Sequence, residues 1–153
     1  MNSKTQAVLA PRTTVLLPII YLIHLAEEWF GGFLAWAPIA LGYEISVERF
    51  ILINATSLAL FSIGTAAALH YTRMSWFATT LAALLGLNGL LHILATFGFG
   101  YYSPGTVTGF LLYIPIGIKV LRSTSSQFSR FTFRIAVLLG ILLHGLVAYL
   151  AFI

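Results

Sequence analysis

At 153 residues, 59% hydrophobic and 8% charged, with a mean hydropathy of +0.97, this chain has too few charges to cover a soluble domain and reads as a polytopic membrane protein. It contains no Asp and no Cys, which excludes disulfides, thiolate metal sites and cysteine nucleophiles. The net charge of +4 is no sign of nucleic-acid binding, because the basic residues lie where membrane topology needs them.

The amino-terminal stretch MNSKTQAVLAPRTT resembles the basic start of a signal peptide. The apolar run behind it is too long for one, and no small-residue cleavage site follows, so the first segment is expected to be retained. That segment, Thr14 to Phe33, is the first of five predicted spans. The stretch over 31–49 is longer than the other turns and rich in Gly and aromatics, which suits a re-entrant or interfacial element. The remaining spans are Phe50 to His70, Ser75 to Phe97, Pro104 to Leu121 and Phe133 to Phe152. Each has about the 17–25 residues a membrane helix needs. The fourth is interrupted by Pro104, Pro115 and three glycines, which spanning helices tolerate. The expected fold is therefore all-α, one transmembrane domain over 1–153 built as a single bundle of five helices. Lys4, Arg12, Arg73, Lys119, Arg122, Arg130 and Arg134 all fall on one side of such a bundle, and Arg49 with Glu44 and Glu48 on the other. The positive-inside rule then predicts a cytoplasmic amino terminus and a carboxyl terminus outside.

Three ionisable residues, His24, Glu27 and Glu28, sit inside the first span. A charge at that depth costs roughly 2.5–3.5 kcal/mol on insertion scales, so these groups are expected to have partners. At about 1.5 Å per residue, His24 lies about 15 Å and Glu28 about 21 Å from the cytoplasmic end. Asn88 and His92 in the third span fall near 20 and 26 Å, His144 in the fifth near 16 Å, and Asn54 about 6 Å below the outer surface. All of them share the outer half of a bilayer roughly 30 Å thick. His24, Glu27 and Glu28, at i, i+3 and i+4, share one face, as do Asn88 and His92 one turn apart, and both stripes can turn inward.

His24-x-x-Glu27-Glu28 looks like the H-x-x-E-H arrangement of inverted zinc peptidases, with Glu in the last place. In that reading His24 and Glu28 bind a divalent metal, Glu27 takes a proton from water, and His92 is the third ligand with His144 as competitor or fourth. Two His and one carboxylate form a catalytic zinc set with an open position, and serve non-haem iron equally. Asn88 and Tyr102 can hydrogen-bond substrate or orient a ligand. Against this stands a purely structural reading, in which the cluster is a hydrogen-bond knot between helices, although such bonds average only about 0.6 kcal/mol.

At these residues the chain resembles a family of small bacterial membrane proteins named after their HXXEE motif. The likeness takes in His24-Leu-Ala-Glu27-Glu28, Asn88-Gly-Leu-Leu-His92, Tyr102-Ser-Pro104-Gly105 and the five-helix pattern. It implies a multi-pass protein of a bacterial inner (plasma) membrane with a suspected enzymatic activity, no assigned reaction, and a site of His24, Glu27, Glu28, Asn88, His92 and Tyr102. Intramembrane prenyl-protein peptidases have similar site chemistry, but their glutamate pair is followed four residues on by Arg, where this chain has Gly32.

The expected function is a metal-dependent membrane hydrolase, with zinc as the first choice of metal and iron the second. It would act on an apolar, lipid-like or membrane-borne substrate reaching the site among membrane lipids. The alternatives are a metal-free isomerase or cyclase in which Glu27 and Glu28 share a proton, and a proton- or cation-coupled transport or binding protein. The lack of a visible repeat weighs against the last.

Overall fold

The computed structural model describes residues 10–152, so Lys4 lies outside the described residues. It is helical throughout, with no strand among the described residues. A 3-10 turn over Arg12–Val15 leads into α1 (Leu16–Phe30). Then come the short α2 (Phe33–Leu41), α3 (Val47–His70), α4 (Trp76–Phe99), α5 (Thr106–Ser125) and α6 (Arg130–Phe152). All but α2 are long and apolar enough to cross a membrane, counting the turns that lead into α1 and α4, which makes the chain a multi-pass membrane protein. The ends differ from the sequence reading by a few residues, most at α5, which starts at Thr106 rather than Pro104 and runs on to Ser125 rather than Leu121.

α2 is too short to span: its nine residues reach about 14 Å. It is bounded by Gly32 and Gly42, both at positive φ (79° and 75°), a backbone state that glycine adopts without steric cost. Trp36 and Ala37 are buried beneath it, beside Ile45 and Phe50. The stretch over 31–49 is thus a folded cap over the bundle end that carries Glu28 and His92.

α4 is the central helix. Its first half is buried almost continuously from Ala78 to Leu85, and small residues let two neighbours approach it closely. On α6, a Cβ at Gly140 would come within 2.4 Å of the Thr80 carbonyl, and the Thr80 hydroxyl donates to the Ala136 carbonyl at 3.0 Å. On α5, the backbones of Gly89 and Gly109 touch, the close approach that small residues permit between membrane helices.

α5 contains a π-helical segment, Gly109–Tyr113, just before Pro115. A proline lacks an N–H and its ring collides with the carbonyl four residues back. Widening the preceding turn relieves both problems, and π turns of this kind often mark functional positions. Here the turn places Tyr113, fully buried, against His24.

Candidate functional site

His24 and Glu28 come from one face of α1 and His92 from α4. Their side chains meet: His24 Nε2 lies 3.4 Å and His92 Nε2 3.2 Å from the same oxygen, Glu28 Oε1. All three residues are buried, with His24 only 1% exposed. Each offers a ligand atom, and those atoms lie within 4.8 Å of one another, so the group could hold a metal ion. The two rings stand edge to face with centroids 5.0 Å apart, and Tyr113 stacks on His24 at 4.3 Å.

The outer nitrogens of both histidines are held by hydroxyls from the start of α5 and the loop before it. His24 Nδ1 is 2.7 Å from Thr108 Oγ1, and His92 Nδ1 is 3.2 Å from Ser103 Oγ. When each Nδ1–H donates to its hydroxyl, both Nε2 lone pairs face Glu28. That fixing of tautomer and ring orientation by a second layer of groups is usual around metal-binding histidines. His24 Nε2 itself is buried and makes no hydrogen bond.

The loop that supplies these hydroxyls is fastened in three ways. Thr96 Oγ1 accepts from the Ser103 amide at 2.9 Å, and Thr106 Oγ1 donates to the Ser103 carbonyl at 2.6 Å. Gly105, at φ 104°, presses its backbone on the two imidazoles: a Cβ there would lie 2.7 Å from His24 Cε1 and 2.9 Å from His92 Nδ1. The third fastening is Glu27. Its Oε1 accepts from Tyr102 OH (2.6 Å) and the amides of Gly105 (3.1 Å) and Val107 (2.9 Å), and its Oε2 from the Thr108 amide (2.7 Å). A carboxylate on the free amides of a helix start complements the positive end of the helix dipole. Burial and the neighbouring Glu27 carboxylate push the Tyr102 hydroxyl up to about 12, so it stays a donor.

Beside the cluster lies a cavity of about 620 Å³, lined by His24, Glu28, His92, Asn88 and His144 together with many aliphatic and aromatic groups. Asn88 Nδ2 and His144 Nε2 are 3.4 Å apart, pairing α4 with α6. The structure therefore brings His24, Glu28 and His92 into one cluster and puts Asn88 and His144 on the same cavity wall. Glu27 and Tyr102, which the sequence reading placed at the chemistry, are not among the cavity-lining residues and bond to each other. The sequence reading gave no role to Ser103 and Thr108 behind the histidines, to Tyr113 stacked on His24, or to Tyr21, whose hydroxyl donates to Asn54 Oδ1 at 2.6 Å.

The site residues from His24 to Thr108 fall within the stretch 15–120 matched by the family model for proteins of unknown function with the HXXEE motif. The chain belongs to the HXXEE-motif family. His144, on α6, lies beyond the matched residues. No curated protein and no solved structure matches the chain. In HXXEE terms, the His and the second Glu belong to the buried cluster, and the first Glu clamps the α5 start that carries their supporting hydroxyls.

Proposed function

We propose that this HXXEE protein is a membrane-embedded, metal-dependent hydrolase in which His24, Glu28 and His92 hold a divalent cation, zinc first and iron second. The observation that carries this reading is the convergence of two imidazole Nε2 atoms on Glu28 Oε1 at 3.4 and 3.2 Å. Two ligands about 2.1 Å from a tetrahedral zinc stand about 3.4 Å apart, so these donor spacings match tetrahedron edges. The hydroxyl-anchored Nδ1 atoms and the unbonded, buried His24 Nε2 fit the same set. Three protein ligands leave one position open, as in catalytic zinc sites.

A bound cation would supply Lewis acidity to polarise a carbonyl and to activate water. The chain's own residues divide the remaining work. His144, whose Nε2 lone pair the Asn88 amide holds on the cavity wall, takes the proton from the attacking water once that bond is released, and returns it to the leaving group. This revises the sequence expectation for Glu27, whose carboxylate is occupied by four donors. Glu27 and Tyr102 position the loop, and Ser103 and Thr108 orient the ligands. The net reaction adds water across the scissile acyl bond, the hydroxyl to carbon and the proton to the departing oxygen or nitrogen. The same reading puts the amino terminus on the cytoplasmic side of a bacterial inner membrane, supported by Arg12, Arg73, Lys119, Arg122, Arg130 and Arg134 at one end of the helices.

One observation favours a second reading. Both imidazoles address a single carboxylate oxygen, which also suits a proton shared among His24, Glu28 and His92 without metal. Metal content of the detergent-purified protein separates the two. About one zinc or iron per chain is expected, lost in folded Glu28→Ala and His92→Ala variants. A folded wild type that stays metal-free after supplementation would overturn the hydrolase reading in favour of the shared proton.

A further inference from the structure

The cavity beside the cluster also constrains what reaches it. Its volume, about 620 Å³, lies in the range of about 300–1,000 Å³ of small-molecule pockets. That suits one hydrocarbon chain with a small head. Leu91 and Leu94 line it while being 43% and 55% exposed, so it communicates with the lipid-facing side of α4. Its walls elsewhere are mostly carbon: Phe33, Phe61 and Leu85, for example, from α2, α3 and α4.

The polar groups are few. No Lys or Arg lines the cavity, and its ionisable lining is His24, His92, His144, Glu28 and Tyr21. Phosphate and carboxylate heads are recognised by Arg forks, Lys or helix amides. A divalent cation with Glu28 leaves at most one net positive charge, too little for a diphosphate in an apolar enclosure. An unpaired charge there meets a large desolvation cost. Two buried atoms with no hydrogen-bond partner belong to residues lining the same space, Trp36 Nε1 and Asn88 Oδ1, a donor and an acceptor that an uncharged ester or amide group can meet.

We infer that the occupant is a single-chain, electrically neutral amphiphile, an ester or amide, with its polar group at the His24–Glu28–His92 end and its chain running along α4. This rests on the cluster being the reacting end, as proposed above.

Trp36 is a built-in reporter, since only Trp29 and Trp76 need replacing by Phe to isolate its emission. The protein reconstituted in vesicles is titrated with the methyl ester of dibromostearic acid, whose bromines quench nearby indoles, and in parallel with dibromostearyl phosphate. Saturable quenching by the ester, displaced by unbrominated methyl stearate and at least about tenfold stronger than by the phosphate, is expected. Ala148→Phe on α6 and Ala95→Phe on α4 each fill the cavity and should abolish the saturable part; either suffices if the other does not fold. Equal or stronger quenching by the phosphate would overturn neutrality of the head. Absence of saturable quenching by either probe would overturn the occupant altogether. Zinc content read on the same samples keeps the two proposals apart: zinc without ester quenching sinks this inference alone, and ester quenching without zinc sinks the metal reading alone.

Discussion

Replacing Gly105 by Ala tests the site at its tightest point. The added methyl would sit 2.7 Å from His24 Cε1 and 2.9 Å from both Cε1 and Nδ1 of His92, where ordinary contact begins at 3.4 Å. One or both rings must therefore retreat by about 0.5–0.7 Å, or the loop must lift, which breaks the Gly105 amide bond to Glu27. The φ of 104° adds about 1–2 kcal/mol of backbone strain for an L-residue, and overpacking a filled site costs about 1–3 kcal/mol. If about 2–3 kcal/mol of this falls on the ligand geometry, zinc affinity drops about 30- to 150-fold. The assay is zinc competition against a chromophoric chelator in detergent, beside thermal unfolding. Gly145→Ala is the control, because a methyl there meets nothing within 4 Å. A Gly105→Ala protein that binds zinc and melts like the wild type would refute the claim that this backbone braces the two histidines.

Three other outcomes are expected. Glu27→Gln, which puts an amide nitrogen against backbone donors, should destabilise the fold by about 2 kcal/mol in chemical denaturation while keeping metal stoichiometry; loss of turnover at unchanged stability would restore Glu27 as the base. His144→Ala and Asn88→Leu should keep bound zinc but lower turnover of a neutral acyl ester by about 10²–10⁴-fold and at least several-fold respectively, and metal loss in either would make that residue part of the ligand set. The Tyr102 hydroxyl, raised from an ordinary value of 10 to about 12, binds its proton more tightly when folded, so its contribution is intact below pH 10 and lost as pH rises through 12; Tyr102→Phe should flatten that part of a stability-against-pH curve, and an unchanged slope would count against the Glu27 contact.

Helix spacing made much of this arrangement legible in the sequence. His24 and Glu28, one turn apart at mid-span, were bound to share a face, and the count of residues from each helix end brought His92 to a similar depth. The same spacing put Glu27 on that face as well, three residues after His24, yet its carboxylate turns to the amides at the α5 start instead. What remained hidden were contacts between single hydroxyls and partners far along the chain. Nothing in the pattern around Thr108 announces that it meets His24, 84 positions away. Tyr102-Ser-Pro-Gly stood out as a motif, but its use is largely in the backbone: amide donors for Glu27 and a glycine flat against two rings. Pro115 was visible as an interruption, whereas the widened turn before it, and with it the stacking of Tyr113, depends on how α5 packs between α1 and α4.

That widened turn divides one helix into two ends with separate obligations. Upstream, Thr108 answers to His24; downstream, Gly117 answers to the Ala82 carbonyl, where a Cβ would lie at 3.2 Å. In an unbroken α-helix the angle between those two positions would be dictated by arithmetic, about 100° for every residue. The extra residue in the loop of backbone at Gly109–Tyr113 acts like a phase shifter between them. Lengthening or shortening the chain by one residue there would swing the whole downstream half off α4, so an indel at this point should be far more damaging than any single side-chain change on α5.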